Sequence, residues 1–537
     1  MTVAPRTSLA THEVENQPGP PEARDLWTSD GALRDHLRAA GGREDPAAAA
    51  GAVFGSASLR AAGEAARAYP PELRLFDRAG RRLDEVVFHP GYHEVMQAGM
   101  AAGYANVAWD GAPGGHATHA ALVYMLSQVE PGICCPLTMT YAAVPALSAD
   151  PALQAVWAPK LTGGAYDPAI APVGAKRSAT MGMAMTEKQG GSDVRANTTR
   201  AEPDGDMWRL TGHKWFCSAP MSDGFLTLAY TDAGLTCFLV PRWTEDGRNP
   251  IQIQRLKDKL GNKANASSEI EYHGALAHKL GEDGRGVATI IEMVHHTRLD
   301  TAMAPAGLMR AALVEAKHWV EGRRTFQKRL IDQPLMRSVM ADLALEWEGA
   351  LALGMRAARA FDGDAAEDRA FARISVALAK FLSNKRCGPV ILEAMECLGG
   401  MGYVEETPMP MLYREAPLNS IWEGSGNVIC LDILRTLARE PLAAETLRAE
   451  LEAATGADRR YDAALKAHVE RWPGLPEEGE ARWFAERLAV LLAASVLIRG
   501  GNAAVADGWV ATRVEGARGM VPGAVAGLDT EALIARI

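Results

Sequence analysis

The feature that most constrains this chain is a change of hydrophobic period in its middle. Up to about residue 178 the sequence is alanine-rich, and apolar residues recur at helical spacing, as around 29–40 and 91–103. Pro-Gly punctuation at 18–21 and 111–115 separates these stretches, and Ser29, ahead of Asp30, reads as a helix start. After Ala179 the pattern shifts to short runs rich in aromatic and β-branched residues: 208–211, 225–230, 236–240, 251–254 and 268–272. From Gly286 to about Arg439 the helical period returns, with long Ala/Leu/Met/Arg stretches at 301–323 and 335–361. Pro441 then breaks the run ahead of a further alanine-rich helical tail, itself interrupted at 472–479 and at Gly500-Gly501. This order predicts a mainly α protein with a central β domain. The expected domains are N-terminal helical (1–178), β (179–285), helical bundle (286–439) and an extra C-terminal helical domain (440–537).

The 537 residues are too many for one hydrophobic core. No apolar stretch near the N-terminus reads as a signal peptide, and the run 488–498, flanked by Arg487 and Arg499, reads as a buried helix rather than a membrane span. A cytoplasmic protein is expected. Seven cysteines without a CxxC pair argue against a disulfide framework, and the adjacent His295 and His296 would point about 100° apart on a helix. No metal is expected. A net charge of −10 argues against global attraction to nucleic acid, while leaving a local basic face open.

Three stretches could carry chemistry. MTEKQGGSD, residues 185–193, precedes the β region. Gly190-Gly191 allows close backbone approach to a ligand, and Thr186 and Ser192 add hydroxyls; a plain turn reads equally well. KWFCS, residues 214–218, sets aromatics beside a hydroxyl, suited to packing a planar cofactor or to closing a core strand. IWEGSGN, residues 421–427, places Glu423 beside Trp422 and ahead of glycines. A desolvated carboxylate there would have a raised pKa and act as a base, whereas a solvated loop glutamate would do nothing.

Taken together, these stretches resemble the acyl-CoA dehydrogenase superfamily, and more closely its AidB-like branch of flavoproteins from the bacterial adaptive response to alkylation. Further strings carry the resemblance along the whole chain: FHP at 88–90, RLKDKLGNKANAS at 255–267, AMECLGGMGYVEE at 394–406 and YREAPLNSIWEGSGN at 413–427. The resemblance implies the acyl-CoA dehydrogenase fold: an N-terminal helical domain, a β-barrel-like domain and a four-helix bundle, here with the extra helical tail. It implies FAD as cofactor and Glu423 as the base that removes the α-proton while flavin N5 accepts a hydride from the β-carbon. The matching flavin contacts are Met185, Thr186, Gly191, Ser192, Phe216, Cys217, Ser218, Trp422, Gly424, Ser425 and Asn427. Arg323 and Phe326 match a pair that reaches the flavin of a neighbouring subunit, which implies a homotetramer. Arg298 matches a substrate arginine near the acyl-CoA entrance. Isovaleryl-CoA-like substrates are the family expectation, and the electron acceptor is left open.

The chain departs from the wider family at Gln327, at Glu396 and in the Ser425-Gly426 pair, and Gln333 sits one position from the expected flavin-contacting glutamine; AidB-like sequences share these changes. That branch is also said to bind double-stranded DNA through its tail, which would make the chain a DNA-binding protector with incidental turnover. The arginines available for phosphate contacts are Arg435, Arg439, Arg459, Arg460, Arg513 and Arg518. Residues 441–537 nonetheless hold 11 Lys and Arg against 14 Asp and Glu, so the arginines could equally pair with those acids.

Overall fold

The computed structural model describes residues 4–537. Its N-terminal part is helical from Gly31–Ala39 to Pro151–Leu161, interrupted by an antiparallel hairpin, Glu72–Phe76 with Arg82–Val87. The helical reading of this part misses that hairpin, although the side chains of Glu72–Phe76 alternate in exposure as a strand requires. The hairpin is anchored to the β domain by Asp84, whose carboxylate accepts the Ile253 N–H at 2.8 Å. The first helix is capped by Asp30, which accepts the Leu33 N–H, and not by Ser29. The helix Pro131–Ala146 is buried along nearly its whole length. With the following turn, residues Pro131–Ala149 are long and apolar enough to span a bilayer, but 78% of that stretch is packed inside the protein.

The β region closes into a barrel. Ser267–Leu280 pairs along most of its length with Met207–Ser218, then crosses a bulge at His273/Ala275 and pairs its last residues with Gly234–Pro241. Gly234–Pro241 pairs with Gly224–Thr231, which touches Arg200–Asp204, which pairs back with Met207–Ser218. The ring leaves few free edges and encloses Leu210, Cys217, Phe225, Phe238, Ile270 and Tyr272. The runs 208–211 and 214–218 turn out to be one strand. A short parallel strand, Met181–Ala184, joins the sheet immediately before the MTEKQGGSD loop.

The bundle is built on Gly286–Gly322, Pro334–Phe361, Ala366–Cys397 and Gly426–Arg439. The first of these runs through Pro305, which cannot donate to the Thr301 carbonyl. Asn384 repairs the gap by donating its side-chain N–H to that carbonyl at 2.9 Å. The C-terminal helices pack on the bundle, and Ala481–Gly500 contains the apolar run read as a buried helix. Trp509 fits over Gly349, where a Cβ would approach its ring to 2.2 Å. N-terminal helices, bundle and tail share one continuous core.

Candidate active site

The Gly-rich loop, the barrel strand and the Glu423 loop meet at the seam between barrel and bundle. The Thr186 carbonyl accepts the Trp215 N–H at 2.8 Å, fastening the first loop to the strand. Met185 and Trp422 pack against the same buried cluster, to which Cys135 belongs. Burial pushes the Cys135 thiol up to about 12, with the Ser218 hydroxyl opposing the rise and the Glu423 carboxylate adding to it. The two motifs, more than two hundred residues apart, therefore share one site.

On the strand, the period of two puts Phe216 and Ser218 on the outer face, and Phe216 leaves 48% of its surface exposed. Cys217 points the other way, into the barrel core, so its side chain cannot touch a cofactor; this corrects its place among the contacts. Gly191 and Ser192 lie exposed, and Gly191 is held against Thr186, where a Cβ would come within 2.5 Å of the hydroxyl. An exposed ring, nearby hydroxyls and a bare backbone suit a flat heteroaromatic group, so these residues fit an isoalloxazine.

Glu423 occupies the left-handed backbone region at φ 56°, and Gly424 follows at φ 98°. A non-glycine residue there is strained, and such strain concentrates at functional sites. Residues distant in sequence hold the loop in place. Lys380 donates to the carbonyls of Asn419 and Gly424 at 2.9 and 2.8 Å, Arg298 donates to the Glu423 carbonyl at 3.2 Å, and Trp422 donates to Asn419 at 2.8 Å. The carboxylate accepts one hydrogen bond, from the Thr297 hydroxyl at 2.7 Å. Burial pushes its pKa up, against the opposing pull of Thr297, Lys380 and Arg298. Burial likewise lowers Lys380 to about 7, although Glu423 works the other way.

Two of these residues escape the sequence reading. Thr297 directly precedes Arg298 but has no signature of its own. Lys380 carries a signal that could have found it: a lone cation flanked by Leu378, Ala379, Phe381 and Leu382 in a helix interior. Asn427 accepts from Arg482 of the tail at 2.9 Å, which joins the C-terminal helices to the candidate cofactor loop. Ser425 precedes the helix Gly426–Arg439 without a side-chain cap bond, leaving its first N–H groups available to a ligand.

Other expectations are corrected. Arg298 does not stand at an entrance: it is 7% exposed, ion-paired to Asp432 at 2.8 Å and turned toward the Glu423 backbone, so it shapes the loop. Gln333 donates its amide to Thr325, bracing the turn that carries Phe326. Arg513 is buried against Asp342 and Glu346 at 2.6 and 3.1 Å, and Arg518 pairs with Glu346 at 2.9 Å. Neither can also serve a DNA phosphate. Arg460 is held by Asp458 and Asp507, while Arg435, Arg439 and Arg459 are exposed.

His295 stacks on Phe361, and His296 is bound to the Glu292 carbonyl. Among the described residues no three metal-ligating side chains gather. A cavity of about 260 Å³ opens between the N-terminal hairpin and the barrel, lined by Phe88, Tyr92, Met96, Tyr166 and Asp223. Glu423 is not in its wall, and we place the chemistry at Glu423, where strain, desolvation and an underbonded carboxylate coincide.

Known proteins resemble this chain along most of its length. Residues 16–168 match the adaptive response protein AidB N-terminal domain, 182–275 the acyl-CoA dehydrogenase middle domain and 284–438 the acyl-CoA dehydrogenase C-terminal domain. The chain is 44% identical to AidB of Escherichia coli (strain K12) over 93% of its own length and 94% of that protein. It is 32% identical to acyl-CoA dehydrogenase family member 11 of Caenorhabditis elegans over 76% of its length and 69% of that protein. Among solved structures, ACDH-11 of Caenorhabditis elegans in complex with C11-CoA superposes with a TM-score of 0.84 at 27% identity, covering 99% of this chain and 98% of that one. Bd2924 in its apo form superposes with a TM-score of 0.81 at 30% identity, covering 90% and 99%. With its three domains matched in order along almost the whole length, the chain belongs to the acyl-CoA dehydrogenase family of FAD-using oxidoreductases, in the AidB branch.

Proposed function

We propose that this protein dehydrogenates an acyl-CoA thioester, with Glu423 as the base that removes the α-proton. The observation that carries the reading is a half-buried carboxylate at left-handed φ, held by a single hydroxyl and pushed toward protonation by its desolvation. When bound, FAD supplies the hydride acceptor for the β-carbon. The chain's own residues do the rest. Thr297 aims the carboxylate, while Arg298 and Lys380 fix the loop through its carbonyls. The N–H of Glu423 has no protein acceptor among the described residues and is available to the thioester carbonyl, where negative charge develops as the proton leaves. Phe216, Ser218, Met185, Thr186, Gly191 and Ser192 are the residues that would hold the flavin ring.

The C11-CoA held by the Caenorhabditis elegans relative supports an acyl-CoA as the substrate class; isovaleryl-CoA-like branched chains are our choice within it. Phe326, 92% exposed at φ 50°, together with Arg323, supports a homotetramer in which this pair reaches a neighbouring flavin. Duplex DNA as a partner keeps only Arg435 and Arg439, at the end of the bundle, and Arg459, on the acidic tail, of the expected arginines and is the weaker reading. The test is to mix the yellow holoprotein with a panel of branched and straight acyl-CoAs. Flavin absorbance should bleach with the parent and not with Glu423→Gln. An absence of bleaching across the panel removes the dehydrogenase reading.

A further inference from the structure

Residues 4–22 contain no helix and run over the surface to the end of the long bundle helix Gly286–Gly322. There Asn16 grips the backbone of Arg324 at both of its polar groups. Its side-chain N–H donates to the Arg324 carbonyl at 2.8 Å, and its side-chain oxygen accepts the Arg324 N–H at 2.6 Å. Its main-chain carbonyl accepts from the Arg323 guanidinium at 2.5 Å. The contact is extended by His318, whose ring bonds the Gly19 carbonyl at 2.7 Å, and by Pro18, which lies against Gly322. Asn16 itself sits at φ 59°, a conformation asparagine tolerates better than most residues.

Beyond its own ladder, the Leu330 N–H to the Arg323 carbonyl at 2.9 Å and the Arg329–Asp332 ion pair, the gripped element has little to hold it. Arg324–Thr325 and Lys328–Arg329 form a hairpin of two residues per strand, and its turn residues Phe326 and Gln327 are both left-handed, at φ 50° and 67°. Such turns favour Asn-Gly, and so short a hairpin is marginal alone. The exposed Phe326 ring adds no packing. Asn16 on one side and Gln333 on the other therefore set which way the hairpin points. Among the described residues no carboxylate pairs with Arg323, so its charge stays open to an anionic group.

We propose that Asn16 is a positioning residue for Arg323 and Phe326, so that the N-terminal segment governs how firmly the assembled protein retains the pyrophosphate-bearing cofactor. The proposal rests on the reading of Arg323 and Phe326 given above. Asn16→Gly keeps the backbone conformation and removes both amide bonds; Asn16→Asp keeps the acceptor and loses the donor. FAD release from the full-length holoprotein is followed by flavin fluorescence after dilution, beside sedimentation and thermal unfolding. We expect Asn16→Gly to release FAD at least tenfold faster with little change in unfolding temperature, and Asn16→Asp to fall between it and the parent. Unchanged FAD release in Asn16→Gly overturns the proposal, as does a lower unfolding temperature with FAD retention intact. Arg323→Ala separates the two levels: if it sheds flavin while Asn16→Gly does not, only the role of Asn16 falls, and if neither does, the reading of Arg323 falls with it.

Discussion

Two glutamates, each in a glycine-containing loop at this site, meet opposite fates. Glu187, in the MTEKQGGSD loop, is fully buried and saturated: Lys214 donates at 2.9 Å, the Thr199 hydroxyl at 2.6 Å and the Thr198 N–H at 2.6 Å. Burial alone would raise its pKa, but Lys214 and these donors hold it below the usual carboxylate range. Glu423 accepts one hydroxyl bond, its nearest cations are occupied with backbone carbonyls, and burial wins. The same side chain is a structural tie in one loop and a poised base in the other. What separates them is how many donors the fold brings to each, since a buried carboxylate keeps its charge only when it is well paired.

The comparison can be broken most decisively at Glu423. Glu423→Gln should lower the rate of flavin reduction by about 10²–10⁴-fold, the range a positioned base contributes, while thermal unfolding shows the fold intact; a variant that still bleaches at the parent rate would move the chemistry elsewhere. Next comes the tie at Glu187. Lys214→Met leaves that carboxylate buried without its cation and should cost about 3–5 kcal/mol in denaturant unfolding. A cost near zero would mean that the two glutamates are not so different.

Smaller effects sharpen the contrast. Glu423→Gly relieves the left-handed backbone and should gain about 1 kcal/mol of stability while abolishing turnover, which equilibrium unfolding and the bleaching assay read side by side. Thr297→Val removes the hydroxyl that favours the ionised carboxylate, so the acidic limb of kcat/KM should move to higher pH; an unmoved limb would show that Thr297 does not tune the base. The two carboxylates should also differ in the sign of their linkage to pH. Glu187, with its pKa depressed, contributes stability above the ordinary carboxylate range that is lost as pH falls through its folded value. Glu423, with its pKa raised, contributes stability at acid pH that is lost as pH rises through its folded value. Glu423→Gln should therefore gain stability relative to the parent as pH climbs out of the acid range, which melts across pH would reveal.

Much of the architecture was legible because period reports burial. The barrel strands stand where short β-branched runs lie, and the bundle helices where the helical period returns. The hairpin Glu72–Phe76/Arg82–Val87 was missed because two short, half-buried strands in an alanine-rich region give little periodic signal. The bundle helix runs from Gly286 through Pro305 without a break, because the cost of that proline is removed by Asn384, a residue some eighty positions away and invisible to local pattern. At the site, alternation along Met207–Ser218 already separates Phe216 and Ser218 from Cys217, so that error ran against a pattern present in the sequence. For the arginines no local pattern existed. Arg298 and Arg513 look like surface cations until Asp432, Asp342 and Glu346 are brought against them.

The sequence by itself determined the order of helical and β regions and supplied the chemical inventory: a glutamate among glycines, an aromatic–hydroxyl strand and a hydroxyl-bearing loop. Only the tertiary structure decided which carboxylate was left underbonded and which arginines were already engaged. Desolvation and ion pairing depend on what surrounds a group in space, and here those neighbours come from helices and loops far away along the chain.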